Sequence, residues 1–199
     1  MSRRSGGRPR KPSRSLVRRI LVVTEGTCTE PQYVEGLNDY LRHQGVTAMV
    51  KRVPVGKDPL KVVKKCIEVR NDAAARDREY DICVCLVDVD QHQTLPAACR
   101  LAAEENVFVI VSNLKFEVWL RWHVEDRCSV LSTIELDDLM GKMGLTVGKN
   151  LSSTFPFPAV DRACATARRA DPDLKAGRVG PDPSTAMPVL VDLMRGGDG

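Results

Sequence analysis

The 199-residue chain is short of aromatic side chains: four Phe, two Trp and three Tyr make up 5% of it. That leaves little material for stacking bases. Any hold on nucleic acid is therefore expected to run through the phosphate backbone, to be salt-sensitive and to choose sequence weakly. No apolar run approaches the ~18 residues that span a bilayer. Ile20 to Val23 is too short to be the core of a signal peptide, and Glu25 follows it. The expectation is a cytoplasmic protein with no membrane partner. Seven cysteines are an odd number, none forms C-x-x-C, and no histidines cluster near them. They read as reduced, buried thiols rather than zinc ligands. Neither G-x-x-x-x-G-K-[ST] nor G-x-G-x-x-G occurs, which argues against a small-molecule phosphotransferase.

What is present suits one domain with small extensions, large enough to bury a core. At 43% hydrophobic and 28% charged, the chain is not collagen-like, coiled-coil or wholly disordered. The net charge of +4 conceals a split. Residues 1–19 carry seven arginines, Lys11 and no acid, which leaves 22 bases against 26 acids in the other 180. The arm is taken as 1–18; its Met1–Ser15 stretch is mostly Arg, Gly, Pro and Ser with almost nothing to bury, and that composition predicts disorder. Arg3, Arg4, Arg8, Arg10, Lys11 and Arg14 are its candidate phosphate contacts; a solvated tail is the competing reading.

From residue 19 to 125 apolar strands alternate with helices. Strands are predicted at Arg19–Thr24, Thr47–Val55, Asp81–Val87 and Val107–Val111. A helix is predicted to start at Thr29, with Thr29 as cap and Gln32 closing a capping box. Its face is Tyr33, Val34, Leu37, Tyr40 and Leu41. Asp58-Pro59 opens a second helix, with Leu60, Val63, Ile67 and Arg70 on its face. Leu95–Glu105 and Phe116–Val124 are the next two. This pattern predicts an α/β fold with a mostly parallel, four-stranded, Rossmann-like sheet flanked by helices. Residues 126–195 read as a helical C-terminal extension, with helices at Ser132–Met143, Ala159–Ala170 and Ser184–Met194.

Ligands collect at the carboxyl ends of parallel strands. Three strands here lead to Thr24-Glu25-Gly26, Asp88-Val89-Asp90, and Ser112-Asn113 with Glu117 just beyond. Asp88 and Asp90, two apart on an extended chain, can face one cation. Carboxylate oxygens suit Mg²⁺ or Mn²⁺, which in turn relieves their mutual repulsion. Such a cluster serves phosphoryl transfer or phosphodiester hydrolysis. Glu25 is then a general acid or base, or a ligand to a second metal. Asp88, Asp90 and Glu117 are the metal candidates, and helix caps or turn formers are the ordinary alternative.

His92 is placed to donate to an oxyanion or leaving group, unless it is a surface residue. His123 falls on the stripe Phe116, Trp119, Leu120, His123, which reads as core, so a half-buried histidine is expected there. Ser112 and Asn113 are expected to brace the site loop by side-chain to backbone bonds. Gly26, Thr29 and Glu30 are further supporting positions. Lys115, Lys51, Arg52 and Lys57 are isolated bases with a phosphate-binding or a merely solvated role.

Four segments together resemble the RloB-like family. They are Ile20 through Tyr33 (ILVVTEGTCTEPQY), Val87-Asp88-Val89-Asp90-Gln91-His92, Ser112 through His123 (SNLKFEVWLRWH) and Asp182-Pro183-Ser184-Thr185. The family is similar to the Toprim catalytic domain of topoisomerases, primases and OLD-type nucleases. The resemblance implies a Toprim-like core in which Glu25 is the general acid or base and Asp88 and Asp90 bind Mg²⁺ or Mn²⁺. It implies a metal-dependent endonuclease acting on DNA or RNA, tRNA included, in phage defence or at restriction-modification loci, often beside an ATPase partner. A non-catalytic Toprim-like module that binds nucleic acid or the ATPase is the alternative. Leu114 stands where the family has proline, and Cys28 where it has a polar or basic residue.

Overall fold

The computed structural model describes residues 18–46, 48–55, 58–89 and 93–197. The apolar runs become strands β1 (Arg18–Thr24), β2 (Ala48–Pro54), β3 (Ile82–Asp88) and β4 (Phe108–Asn113). Between them lie helices α1 (Thr29–His43), α2 (Pro59–Ala74) and α3 (Leu95–Glu104). The first four strands are parallel and their spatial order is β2-β1-β3-β4. α/β architecture with a mostly parallel sheet is thus as expected. The strand count is not. A fifth strand, β7 (Ser184–Thr185), pairs antiparallel with Ser112 and Asn113 on the far side of β4.

Alternate residues of each strand enter different cores. Ile20, Val22, Val84, Leu86 and Ile110 face α1 and the C-terminal helices, while Leu21, Val23, Cys83, Cys85, Val87, Val109 and Val111 face α2 and α3. This is the period of two of an extended chain. Burial on both faces explains why these strands carry unbroken apolar runs. The direction of winding reverses between β1 and β3, which makes their carboxyl ends the switch point where such sheets hold ligands.

Beyond β4 come α4 (Glu117–Arg121), α5 (Thr133–Lys142) and a hairpin of β5 (Thr146–Val147) and β6 (Asn150–Leu151). A 3₁₀ turn (Phe157–Ala159), α6 (Val160–Ala170), β7 and α7 (Met187–Met194) complete the chain. Leu136, Met140, Val160, Ala163, Leu190 and Leu193 share one apolar cluster with β1 and α1. No helix among the described residues is long and apolar enough to cross a membrane.

Several local expectations need correction. Cys28, not Thr29, is the N-cap of α1, and no side chain caps that end. Thr29 Oγ instead donates to Lys149 O, at 3.2 Å. Gln32 closes no box: it donates to Asn150 Oδ1 and accepts from Leu151 N. Tertiary contact with the β5–β6 hairpin has taken both side chains from their local roles. The buried face of α2 is Pro59, Val62, Val63 and Cys66, one position away from the expected stripe. Arg70, one turn beyond Cys66, is half-buried and continues that face, with its guanidinium 2.5 Å from Glu105. Asp58 does cap α2, accepting from Leu60 N and Lys61 N. The last predicted helix splits: Ser184 and Thr185 are strand, and Pro188 lies in the first turn of α7. The peptide bonds Asn113–Leu114 and Asp182–Pro183 are cis.

All seven cysteines are free thiols. Cys66, Cys83, Cys85 and Cys164 are buried, whereas Cys28, Cys99 and Cys128 are only partly so.

Candidate functional site

The carboxyl ends of β1 and β3 are laced together by Glu25. Its amide donates to Leu86 O at 3.0 Å. Its carboxylate accepts from the amide of Asp88 at 3.3 Å. Thr24 Oγ donates to Gly26 O at 2.8 Å and tightens the turn that follows β1.

Gly26 makes room for a further carboxylate. Its amide donates to Glu30 at 3.0 Å, and a Cβ at this position would stand 2.0 Å from a Glu30 oxygen. Burial pushes the Glu30 carboxyl above its usual range, the charges of Glu117 and Glu25 push the same way, and bonds from its own amide and that of Gly26 pull back. Glu30 reaches this position because it lies one turn ahead of Tyr33, Val34 and Leu37 on the inward side of α1.

Asp88 is the most perturbed carboxyl of the group. Burial raises it well above the normal aspartate range, followed by the charges of Glu30, Glu117 and Glu25, while Lys115 opposes. Glu117, at the start of α4, is raised by burial and by Asp137, against Lys115. Lys115 lies 2.6 Å from Asp137 and 3.6 Å from Glu117. Burial works to lower its pKa, but the bond to Asp137 and the surrounding carboxylates outweigh that and raise it. Lys115 is therefore a fixed internal counter-charge.

A cleft of about 450 Å³ opens on this group, lined by Glu30, Lys115, Glu117, Asp137, Thr29 and Lys149, among others. Its outer wall is the two-residue turn Gly148-Lys149 of the hairpin. Gly148 adopts φ +61°, as the first position of a tight hairpin turn requires. Glu25 and Asp88 are not among the lining side chains. The donors are all oxygen, the set that hard divalent cations take. Among the described residues, no three His, Cys, Asp or Glu side chains converge closely enough to hold a metal ion.

Of the residues singled out in the sequence, Glu25, Gly26, Glu30, Asp88 and Glu117 come together at this edge. Asp90, His92, Lys57 and the arm residues Arg3, Arg4, Arg8, Arg10, Lys11 and Arg14 lie outside the described residues. Ser112 is buried and bonds to Thr185 Oγ at 2.8 Å, a hydroxyl pair across β4 and β7 rather than a bond to backbone. Asn113 does bind backbone, donating to Gly180 O at 3.0 Å. His123 is fully buried, not half-buried. It contacts Trp119 O through Nδ1 and Tyr33 OH through Nε2, at 3.1 and 3.2 Å. These partners fix the neutral ring with its proton on Nδ1 and the phenol donating to Nε2. Burial, foremost, lowers its pKa to about 4. Its role is to tie α1 to the turn that ends α4. The stripe Phe116, Trp119 and Leu120 is core, as the spacing predicts.

Sequence reasoning missed Asp137 and Lys149, which arrive from α5 and the hairpin. No local signal marks either. Glu30 did carry a signal, its place on the apolar face of α1.

The family model described as RloB-like protein matches residues 20–194. No curated protein and no solved structure matches the chain.

Proposed function

The chain belongs to the RloB-like family, and we propose that it is a metal-dependent endonuclease of Toprim type that cleaves DNA or RNA, tRNA included, as an effector of phage defence. One observation carries this reading. Burial and the charges of Glu30, Glu117 and Glu25 raise the Asp88 carboxyl at the switch point of a parallel sheet, with the Lys115 cation opposing them. A repulsive, half-buried cluster of this kind is stabilised by a divalent cation.

Asp88, together with Glu117 and with Asp90 outside the described residues, would hold Mg²⁺ or Mn²⁺. When bound, the cation supplies charge stabilisation at the phosphate and acidifies water. Glu25, locked across β1 and β3, takes or returns the proton of the attacking water. Lys115 limits the negative charge of the cleft before a phosphate enters. His92 is the proposed proton donor to the leaving oxygen. An ATPase encoded nearby is the proposed activating partner.

Replacing Glu25 by Gln keeps its size and removes its basicity. With Mn²⁺, wild-type chain should cut DNA or total RNA, with or without the neighbouring ATPase. Glu25→Gln should lose roughly 100-fold or more in rate. Undiminished cleavage by both Glu25→Gln and Asp88→Asn sinks the assignment.

The competing reading is a non-catalytic module that holds nucleic acid or the ATPase. It predicts no calorimetric heat with Mg²⁺ or Mn²⁺, and partner binding indifferent to the same substitutions.

A further inference from the structure

An acidic cleft repels the phosphates it is meant to process, so it needs a cationic neighbour. The arm is one candidate. The described residues supply another. A recess of about 640 Å³ is lined by Arg19, Lys51, Arg52 and Tyr80. Thr27 and Cys28 line it as well, and the same two residues line the acidic cleft, so the two openings share a wall.

The charges of the two differ in sign. No acidic side chain among the described residues lines the recess. The cleft has Glu30, Glu117 and Asp137 against Lys115 and Lys149. Within the recess Arg52 is partly compensated, 2.7 Å from Glu35 and donating to Pro31 O at 3.1 Å. The Arg19 guanidinium lies 5.2 Å from the ring centre of Tyr80. Lys51 is exposed on β2, the outermost strand of the sheet.

We propose that this recess binds the phosphodiester backbone of a single nucleic-acid strand and leads it past Thr27 and Cys28 into the acidic cleft. The destination rests on the nuclease reading; the ligand of the recess does not. Its volume falls within the ~300–1,000 Å³ of small-molecule sites, room for a nucleotide or two of one strand and not for a duplex. Three cations and a single ring match binding that follows the backbone and tolerates any sequence.

The test measures fluorescence anisotropy of full-length chain with labelled oligo-dT and with a duplex of equal length. EDTA is present, so that no cleavage occurs, and salt is varied. Lys51→Glu should weaken oligo-dT binding roughly fivefold or more and lower the salt slope by about 0.7 for each phosphate no longer neutralised. Lys51→Arg should restore both, and the melting temperature should not move. Unchanged affinity and slope in Lys51→Glu and in the Arg19→Glu/Lys51→Glu pair would overturn the proposal. So would an equal loss for duplex. If wild-type chain cuts nothing while Lys51 still governs oligo-dT binding, the nuclease reading fails and the recess stands.

Discussion

Acid should unfold this protein through His123, and the size of the effect follows from where the ring sits. The imidazole is fully buried between Tyr33, Trp119 and Phe155, with ring centres 5.6, 5.0 and 4.8 Å away. Burial, helped by the nearby Arg162 charge, lowers its pKa from 6.5 to about 4. The folded state therefore resists protonation while the unfolded chain accepts it. Below pH 6.5 the unfolded state binds more protons, so stability falls as pH falls, and the loss continues until the folded ring also titrates near pH 4. A shift of this size corresponds to about 3 kcal/mol lost between pH 7 and pH 4. For a chain of this length that is roughly 6–12 °C in Tm. Asp88, Glu30 and Glu117 work against it. Their raised pKa values mean that the fold sheds electrostatic repulsion as pH drops toward their unfolded values. The slope of wild-type chain alone mixes the two effects. The comparison with His123→Phe separates them, because phenylalanine keeps the aromatic packing and cannot titrate. The variant starts lower at pH 7, since Tyr33 OH and Trp119 O lose a partner at about 1–3 kcal/mol each. Urea unfolding at pH 7, 6, 5 and 4 should then show the advantage of wild type shrinking by about 3 kcal/mol. Parallel curves across that range would refute the neutral, buried ring.

Two other perturbations test packing and charge. Asp88→Asn removes a carboxylate from a repulsive set and should raise stability by about 1–2 kcal/mol, or roughly 2–8 °C by calorimetry, in metal-free buffer at pH 7; a lower Tm would contradict the raised Asp88. Gly36→Ala places a Cβ 2.2 Å from the Phe157 ring. It should cost about 1–2 kcal/mol despite the better helix propensity of alanine, and an unchanged urea midpoint would show that the 3₁₀ turn yields freely.

Much of this architecture was legible because its signals are local. Unbroken runs such as Ile82 to Val87 marked strands covered on both faces, and Asp58-Pro59 marked a helix start that the structure keeps. Glu25, Asp88 and Glu117 could be nominated because parallel strands deliver their carboxyl ends to one edge. What was not legible depends on contacts between distant segments. β7 is two residues long, too short for any periodicity, and its partner lies 73 residues away. The hairpin of β5 and β6 has the same difficulty and takes Thr29 and Gln32 out of their predicted cap. Glu30, named as a supporting position, is placed by the helical face it shares with Tyr33 and Leu37. Asp137 could not be placed in this way, because only the packing of α5 against α4 brings it to Lys115.

The docking of the Gly148-Lys149 turn on α1 also sets a timetable for synthesis. Thr29 leaves the ribosome early, and the Lys149 carbonyl it binds is 120 residues behind it. At the usual pace of translation that gap lasts about 6–24 s. Through that interval the acidic group at the end of β1 has no outer wall, and β4 has no β7 beside it. A nascent chain therefore lacks the α5 and hairpin side of the cleft until the segment around Lys149 emerges, so synthesis of that segment is itself a step in assembling the site.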